Sequence, residues 1–440
     1  MKPPASGSDP RKVALNLLSR MDIPFGGGPA KAYSNILTGS EIKRERMSPE
    51  DRALFTGLVM GVCERIITLD RFISAVSARP GGKIDRHTLA ALRMGIWQIE
   101  YADRIPDHAA VFETVAATKK ESRGFVNGIL RNFLRRRESI RLPEGNGAEA
   151  LSVRYSVCAA QCERYISLFG AERAEKILAA SFDRRLCLRT NTLKTSSGAL
   201  AKKLAAAGFT AVPLATGKGF SVSGGDGLPL AISLGRAFVQ DEASQIAVEV
   251  LGARPGDRVL DVCACPGSKS FGAAADMSDT GEIVCCDVHE SKLPLIESGA
   301  ERLGISIIKT VCRDSSTPAP EFEGRFDRVI CDVPCSGFGV ISKKPELRYK
   351  DPAASAELPE LQYSILTAAA AALKPGGRLV YSTCTILPEE NEGVVRRFLS
   401  EHPEYRADDF EVAGRVSSDG RLTLLPDGGT DGFFIAAITK

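Results

Sequence analysis

The spacing of apolar residues changes character along the chain. From residue 11 to 140 apolar positions recur every three or four residues, which places them on one face of a helix. Val13, Leu15, Leu17 and Leu18 mark a first amphipathic segment. Leu54, Leu58, Val62, Ile66 and Leu69 form a stripe behind Ser48-Pro-Glu-Asp, a helix start with proline in the first turn. Leu89, Leu92, Ile96 and Ile99 repeat the pattern over 85–101, and further helices are expected over 107–120 and 125–137. Residues 138–150 are polar, with Pro143 and Gly145, as a linker is. Over 151–235 the signals are mixed: helices near 159–169 and 198–207, and an alternating strand at Leu186-Cys-Leu-Arg-Thr-Asn. Another helix is expected to end near Leu251.

From Asp257 onward strand and helix alternate. Strands are expected over 258–264, 282–288, 306–311, 326–332, 378–385 and 432–438, with helices over 290–303, 355–373 and 389–402. That order predicts a parallel, doubly wound α/β sheet with a late antiparallel strand. Three domains are expected: all-helical over 1–140, a small α/β unit over 141–235, and the doubly wound part over 236–440.

Charge divides the chain the same way. Residues 1–143 hold 24 Lys and Arg against 15 Asp and Glu, a balance of +9, while the remainder carries −6. Lys119, Lys120, Arg123, Arg131, Arg135, Arg136 and Arg137 gather around one expected helix, where they suit phosphate contacts or simply complement the helix dipole. The apolar fraction of 44% gives each part a core. The 12 cysteines, without a secretory signal and with Cys285, Cys286 and Cys331 in apolar strands, fit reduced thiols in a cytoplasm. No run reaches the roughly 18 apolar residues of a membrane span. Cys158 and Cys162 lack a second nearby pair, so no metal site is expected. A monomer is expected.

The candidate chemistry lies at strand ends. Phe326-Asp-Arg-Val-Ile-Cys-Asp-Val-Pro-Cys ends a buried strand on Asp332, and a proline turn then presents Cys335. Arg378-Leu-Val-Tyr-Ser-Thr-Cys-Thr ends on Cys384. Thiols at the carboxyl ends of two strands of one sheet face its ligand crevice. A third strand ends at Asp261 and opens into Cys263-Ala264-Cys265-Pro266-Gly267-Ser268-Lys269, a small-residue turn entering a helix. The Gly-x-Gly-x-x-Gly dinucleotide spacing is missing. Asp287 and Asp314 close the next two strands, where acids suit ribose hydroxyls and an adenine amine better than phosphates. An adenosyl cofactor without phosphates, S-adenosylmethionine, fits this set. Carbon 5 of cytosine becomes nucleophilic only after a thiolate adds at carbon 6. That reaction needs a cysteine, an acid near ring nitrogen 3 and a base for the carbon 5 proton; Cys384, Asp332 and Cys335 supply the parts.

Two resemblances follow. Ser48-Pro-Glu-Asp-Arg, Gly61 with Asp70-Arg71, Arg93-Met-Gly-Ile-Trp-Gln-Ile-Glu-Tyr and Phe125-Val-Asn-Gly-Ile-Leu-Arg make the front resemble the RNA-binding domain of the NusB antitermination factor. Asp261-Val-Cys-Ala-Cys-Pro-Gly-Ser-Lys, Asp332-Val-Pro-Cys-Ser-Gly, Tyr381-Ser-Thr-Cys-Thr and Pro388-Glu-Glu-Asn look like the RNA cytosine-5 methyltransferase family. With the NusB-like front, the whole chain is similar to that family's bacterial ribosomal RNA members. The resemblance implies a Rossmann-like class I methyltransferase domain, 16S ribosomal RNA as substrate, and Cys384 as nucleophile with Cys335 releasing product. It carries cofactor contacts to residues 263–269, Asp287, Asp314 and Asp332, and counts Lys269 and Asp332 with the catalytic set. Cys265 and Ser268 depart from the family's usual Ala and Gly, and Ser268 is costly if that position needs a positive φ. The competing expectations are the same chemistry on transfer RNA and a non-catalytic RNA-binding regulator, against which the paired cysteines argue.

Overall fold

The computed structural model describes residues 9–21, 34–45, 47–78, 84–225, 227 and 229–440. The chain forms two compact units, Met1–Asp183 with Ile341–Ala354, and Arg184–Val340 with Ser355–Lys440.

The first unit is helical: α1 (Pro10–Arg20), α2 (Ser34–Glu45), α3 (Pro49–Glu64), α4 (Ile66–Val76), α5 (Arg86–Tyr101), α6 (Asp107–Ala117), α7 (Arg123–Arg136), α8 (Ala148–Tyr155), α9 (Ala159–Phe169) and α10 (Ala171–Ala180). Ser48 Oγ accepts from the Asp51 amide at 3.1 Å, with Pro49 in the first turn, as the sequence pattern predicts. Asp85 caps α5 through the Thr88 amide at 3.1 Å. The apolar stripes meet in one core that includes Leu15, Phe55, Leu58, Leu69, Leu92, Ile96 and Phe133. A Cβ on Gly61 would lie 2.1 Å from the Trp97 ring, so α3 and α5 approach only because that residue is glycine. Arg93 grips Asp70 through two hydrogen bonds of 2.8 Å.

Residues 341–354 complete this unit. The Tyr349 hydroxyl donates to the Cys63 carbonyl at 2.7 Å and accepts from the Ile66 amide at 3.1 Å, so it satisfies both backbone groups at the α3–α4 break. Arg348 is fully buried; it donates to the carbonyls of Tyr155 (3.0 Å) and Ser181 (2.6 Å) and stacks over Phe182 at 4.4 Å.

The second unit opens with a small antiparallel sheet of β1 (Leu186–Thr190), β2 (Phe209–Pro213), β3 (Gly219–Gly224) and β4 (Ala237–Val239), ordered β2-β3-β1-β4, with α11 (Ser197–Ala206) and α12 (Leu230–Ser233). The main sheet contains β5 (Arg258–Asp261), β6 (Glu282–Asp287), β7 (Ile308–Cys312), β8 (Phe326–Asp332) and β9 (Leu373–Thr383), then β10 (Arg406–Ala407), β13 (Arg421–Leu424) and β14 (Phe433–Thr439). β11 (Glu411–Val412) and β12 (Arg415–Val416) form a separate hairpin. Strand order is β10-β14-β9-β8-β5-β6-β7, with β13 also on β14. β5 to β9 run parallel and β14 antiparallel, as expected from the alternation. Helices α13 (Glu242–Leu251), α14 (Ser268–Asp276), α15 (Leu293–Leu303), α16 (Leu358–Ala371) and α17 (Glu392–Glu401) belong to the same unit. Apolar clusters lie on the sheet's strands, one with Ile283, Ile330 and Ile435, another with Leu260, Val329 and Tyr381.

The compact units are drawn differently from the three expected spans. Helices α8, α9 and α10 count with the first unit, and the β1–β4 sheet, which runs past residue 235, counts with the second. The reason is pairing: β4 bonds to β1, so the small sheet closes only at Val239.

Candidate active site

The order of strands reverses between β5 and β8, and the crevice outside their carboxyl ends is the ligand site of such sheets. Asp332 closes β8 beside Ser382 of β9. Its Oδ1 accepts from Ser382 Oγ at 2.6 Å and its Oδ2 from Lys269 Nζ at 2.7 Å. Lys269 reaches it from the first turn of α14 and passes 5.3 Å from the Phe433 ring centre. Burial alone would depress the Lys269 ammonium, but Asp332, Asp261 and Cys384 outweigh it and raise its affinity for the proton.

The two thiols meet. Cys335 Sγ and Cys384 Sγ lie 3.1 Å apart, and all twelve cysteines are free. The contact is too long for a disulfide bond of about 2.05 Å and fits a shared proton. The hydrogen bond to Cys384, burial, and the charges of Cys384 and Glu390 raise Cys335 well above the ordinary thiol range, and either sulfur can be the donor in their contact.

Both thiols stand on loops, and the loops are tied together. The Gly339 amide donates to the Cys384 carbonyl and the Gly432 amide to the Gly339 carbonyl, each at 2.9 Å. Ser336 Oγ donates to Thr385 Oγ1 at 2.8 Å. Thr383 Oγ1 donates to Asn391 Oδ1 at 2.6 Å, and Asn391 Nδ2 donates to the Thr385 carbonyl at 3.1 Å. Ser336 N–H and Gln362 Nε2 both donate to buried Glu390 Oε2 at 2.9 Å.

On the other side of β8, Asp261 ends β5 fully buried. Ser270 Oγ donates to its Oδ2 at 2.5 Å, and its Oδ1 has no partner among the described residues. Burial and the nearby Asp332 push this carboxyl up to about 7 against the pull of Ser270. The turn after it brings Cys263 and Cys265 half-buried, Ala264 bonded through its amide to the Cys286 carbonyl at 2.8 Å, and Pro266 exposed. Gly267 holds φ +103°, and a Cβ there would strike the Phe271 ring at 2.5 Å. The positive φ therefore falls on Gly267 and not on Ser268, which begins α14, so the departure at Ser268 carries no backbone strain. Asp287 ends β6, buried, its Oδ1 accepting from the His289 amide at 2.9 Å. Asp314 stands two residues past the end of β7, exposed, and is held by Ser316 through bonds of 2.9 and 2.6 Å.

Every residue singled out from the sequence for catalysis or cofactor binding thus lies at or just beyond the carboxyl ends of five adjacent parallel strands. The sequence pattern assigns no role there to Ser270, Ser382, Gln362 or Glu390. Ser382, Glu390 and Asn391 sit inside the motifs named above; Gln362 has no sequence signal, being one of several polar residues on its helix, with Glu360, Ser364 and Thr367. In the first unit, a cleft of about 890 Å³ is lined by Lys12, Arg20, Arg44, Arg86 and Lys119 among others.

Known proteins resemble this chain over most of its length. The family model described as 16S rRNA methyltransferase RsmB/F matches residues 248–439, and that of the NusB family matches residues 8–135. A probable ribosomal RNA small subunit methyltransferase B of Bacillus subtilis is 35% identical, covering 98% of each chain. The ribosomal RNA small subunit methyltransferase B of Thermus thermophilus is 31% identical, also over 98% of each. Among solved structures, that of PH0851 superposes with a TM-score of 0.80 at 25% identity, covering 98% of this chain and 99% of that one. A methyltransferase homologue from Pyrococcus horikoshii gives 0.59 at 28% identity, over 68% of this chain and all of that one. Full-length likeness to these enzymes, with thiols and carboxylates gathered at the strand ends, places the chain in the RsmB/F family of 16S rRNA methyltransferases, carrying a NusB-family front.

Proposed function

We propose that this protein methylates carbon 5 of a cytosine in small-subunit ribosomal RNA through a thioether to Cys384. The observation that carries the reading is the 3.1 Å approach of Cys335 Sγ to Cys384 Sγ. A single thiol at a strand end is usually core packing; two in contact beside an ion pair are arranged for chemistry.

S-adenosylmethionine suits the strand ends. Its ribose hydroxyls, ammonium and sulfonium bring donors and positive charge, and Asp261, Asp287, Asp314 and Asp332 offer acceptors there. Asp261 Oδ1 is a buried acceptor with no partner among the described residues, and Asp287 closes the strand next to β5. The residues present therefore fit the cofactor. Asp287 is assigned to the ribose, and the 263–269 turn to the methionine part. When bound, the cofactor supplies an electrophilic methyl group.

The chain's own residues do the rest. Cys335 keeps the shared proton, and Cys384 attacks carbon 6 as thiolate. The Lys269–Asp332 pair hydrogen-bonds ring nitrogen 3 as it gains electron density, and carbon 5 becomes an enamine carbon. With Cys384 consumed as a thioether, Cys335 gives its own proton to water. It then removes the carbon 5 proton; the double bond re-forms and Cys384 leaves as thiolate. The helical front, with its basic residues, holds the RNA.

The test is a denaturing gel with ribosomal RNA and cofactor. Cys384→Ala is expected to abolish methyl transfer and any adduct. Cys335→Ala is expected to attack, transfer the methyl and stall as a covalent complex. An adduct from Cys384→Ala alone would reverse the roles, and unimpaired activity in both would end the covalent mechanism.

A further inference from the structure

We infer that Glu390 and Gln362 clamp the backbone on both sides of Cys335 and are positioning residues for product release. This rests on the roles proposed for the two thiols. Strand β8 stops at Asp332, so no ladder of hydrogen bonds holds Cys335 in place. The clamp does so instead. Gln362 Nε2 donates to the Pro334 carbonyl at 2.9 Å, and the Ser336 amide donates to Glu390 Oε2 at 2.9 Å. Gln362 Nε2 also donates to that same Glu390 oxygen at 2.9 Å. The residues before and after Cys335 are therefore fixed to one side-chain pair. The Tyr381 hydroxyl donates to the Glu390 carbonyl at 2.6 Å, which anchors the pair to β9, the strand that leads to Cys384. One residue thus sets the distance between two loops.

A neutral group could hold the Ser336 amide, so the charge needs its own reason. Glu390 is 1% exposed and Gln362 is wholly buried, and a carboxylate at such a site is costly unless paired. Glu390 Oε1 has no hydrogen-bond partner among the described residues. Its charge bears on Cys335, whereas the Lys269 ammonium bears on Cys384. A proton held on Cys335 leaves Cys384 as the attacking thiol. Cys335 is thereby reserved for the step after methyl transfer. With sulfurs 3.1 Å apart, a loop displaced by about 1 Å no longer brings Cys335 to the proton it must take.

The test uses the full chain with Glu390→Gln, close in shape but neutral, and Gln362→Leu, which removes both of its hydrogen bonds. Both are compared with the original protein and Cys335→Ala for first-turnover methyl transfer, steady-state turnover, denaturant-resistant adduct, cofactor binding and melting temperature. The clamp predicts first-turnover methylation within about threefold of normal, steady-state turnover lowered about tenfold or more, and an accumulating adduct. A merely structural role would lower methylation, adduct and cofactor binding together, without accumulation. If Cys335→Ala accumulates adduct while both clamp variants either turn over freely or lose every activity in step, the inference is overturned. If Cys335→Ala itself accumulates none, the thiol roles fail and the clamp falls with them.

Discussion

Asp261 is the residue whose protonation the fold changes most informatively. It keeps its proton up to about 7, chiefly because it is buried and then because Asp332 lies near, against an ordinary value of 3.8. Folding therefore favours the protonated form, and this stabilisation is complete below pH ~4 and lost as pH rises through ~7. At 1.36 kcal/mol per unit the loss is on the order of a few kcal/mol. Asp261→Asn cannot titrate, and its melting temperature is expected to fall less than the original protein's between pH 4 and 8. Parallel pH profiles of the two melting curves would contradict this. At the same scale the sequence is most legible where a residue ends a strand. Asp261, Asp287, Asp332 and both thiols stand out because each is a polar group closing an apolar run. Gln362 does not, because its place on α16 looks like any other helical position until its amide is seen on the Pro334 carbonyl. Asp261 reads as a strand end, but that its Oδ1 has no partner among the described residues is visible only in three dimensions.

Among elements, the loops after β8 and before β14 decide whether the thiols meet. A Cβ on Gly339 would lie 2.0 Å from the Gly432 carbonyl oxygen and 2.9 Å from that of Cys384. Gly339→Ala is expected to push these loops apart, costing about 1–3 kcal/mol in stability, the size of an overpacked core. Covalent adduct formation should drop with it. Gly198, on α11 with nothing within 4 Å of an added Cβ, is the control, and Gly198→Ala should leave adduct yield unchanged without lowering stability. Equal melting temperature and adduct yield in Gly339→Ala would show that the loops tolerate the methyl. Strand β8 has the span that apolar patterning predicts, 326–332. Strand β9 begins earlier than expected, at Leu373, because Leu373 pairs with Phe326 across a bulge and Lys374-Pro-Gly-Gly reads locally as a turn. β7 ends at Cys312, so Asp314 belongs to the following loop. Helix α10 and strands β2 and β3 are not legible in the sequence: α10 follows Gly170 without a side-chain cap, and β2 and β3 carry no clean alternation.

Across the whole molecule, charge and connectivity bear on function together. Of the expected basic cluster, Arg136 donates to the Ala75 carbonyl and Arg137 pairs with Glu100, each at 2.9 Å. Arg135, Lys119 and Lys120 are exposed. Replacing these three with Gln is expected to weaken RNA binding and to reduce the slope of log K against log salt by about 0.7–0.9 for each phosphate no longer neutralised. An unchanged slope would move the RNA elsewhere on the protein. Deleting residues 1–140 would be a poorer test, because the unit they belong to extends to Asp183 and takes in residues 341–354. That last insertion also orders events during synthesis. A ribosome adding about 5–20 residues per second needs roughly 10–35 s to proceed from residue 184 to residue 354. Through that interval the carbonyls of Cys63, Tyr155 and Ser181 and the amide of Ile66 wait for Arg348 and Tyr349. The part of the chain made first is among the last to be completed, and it waits while some 170 of the chain's 440 residues are added.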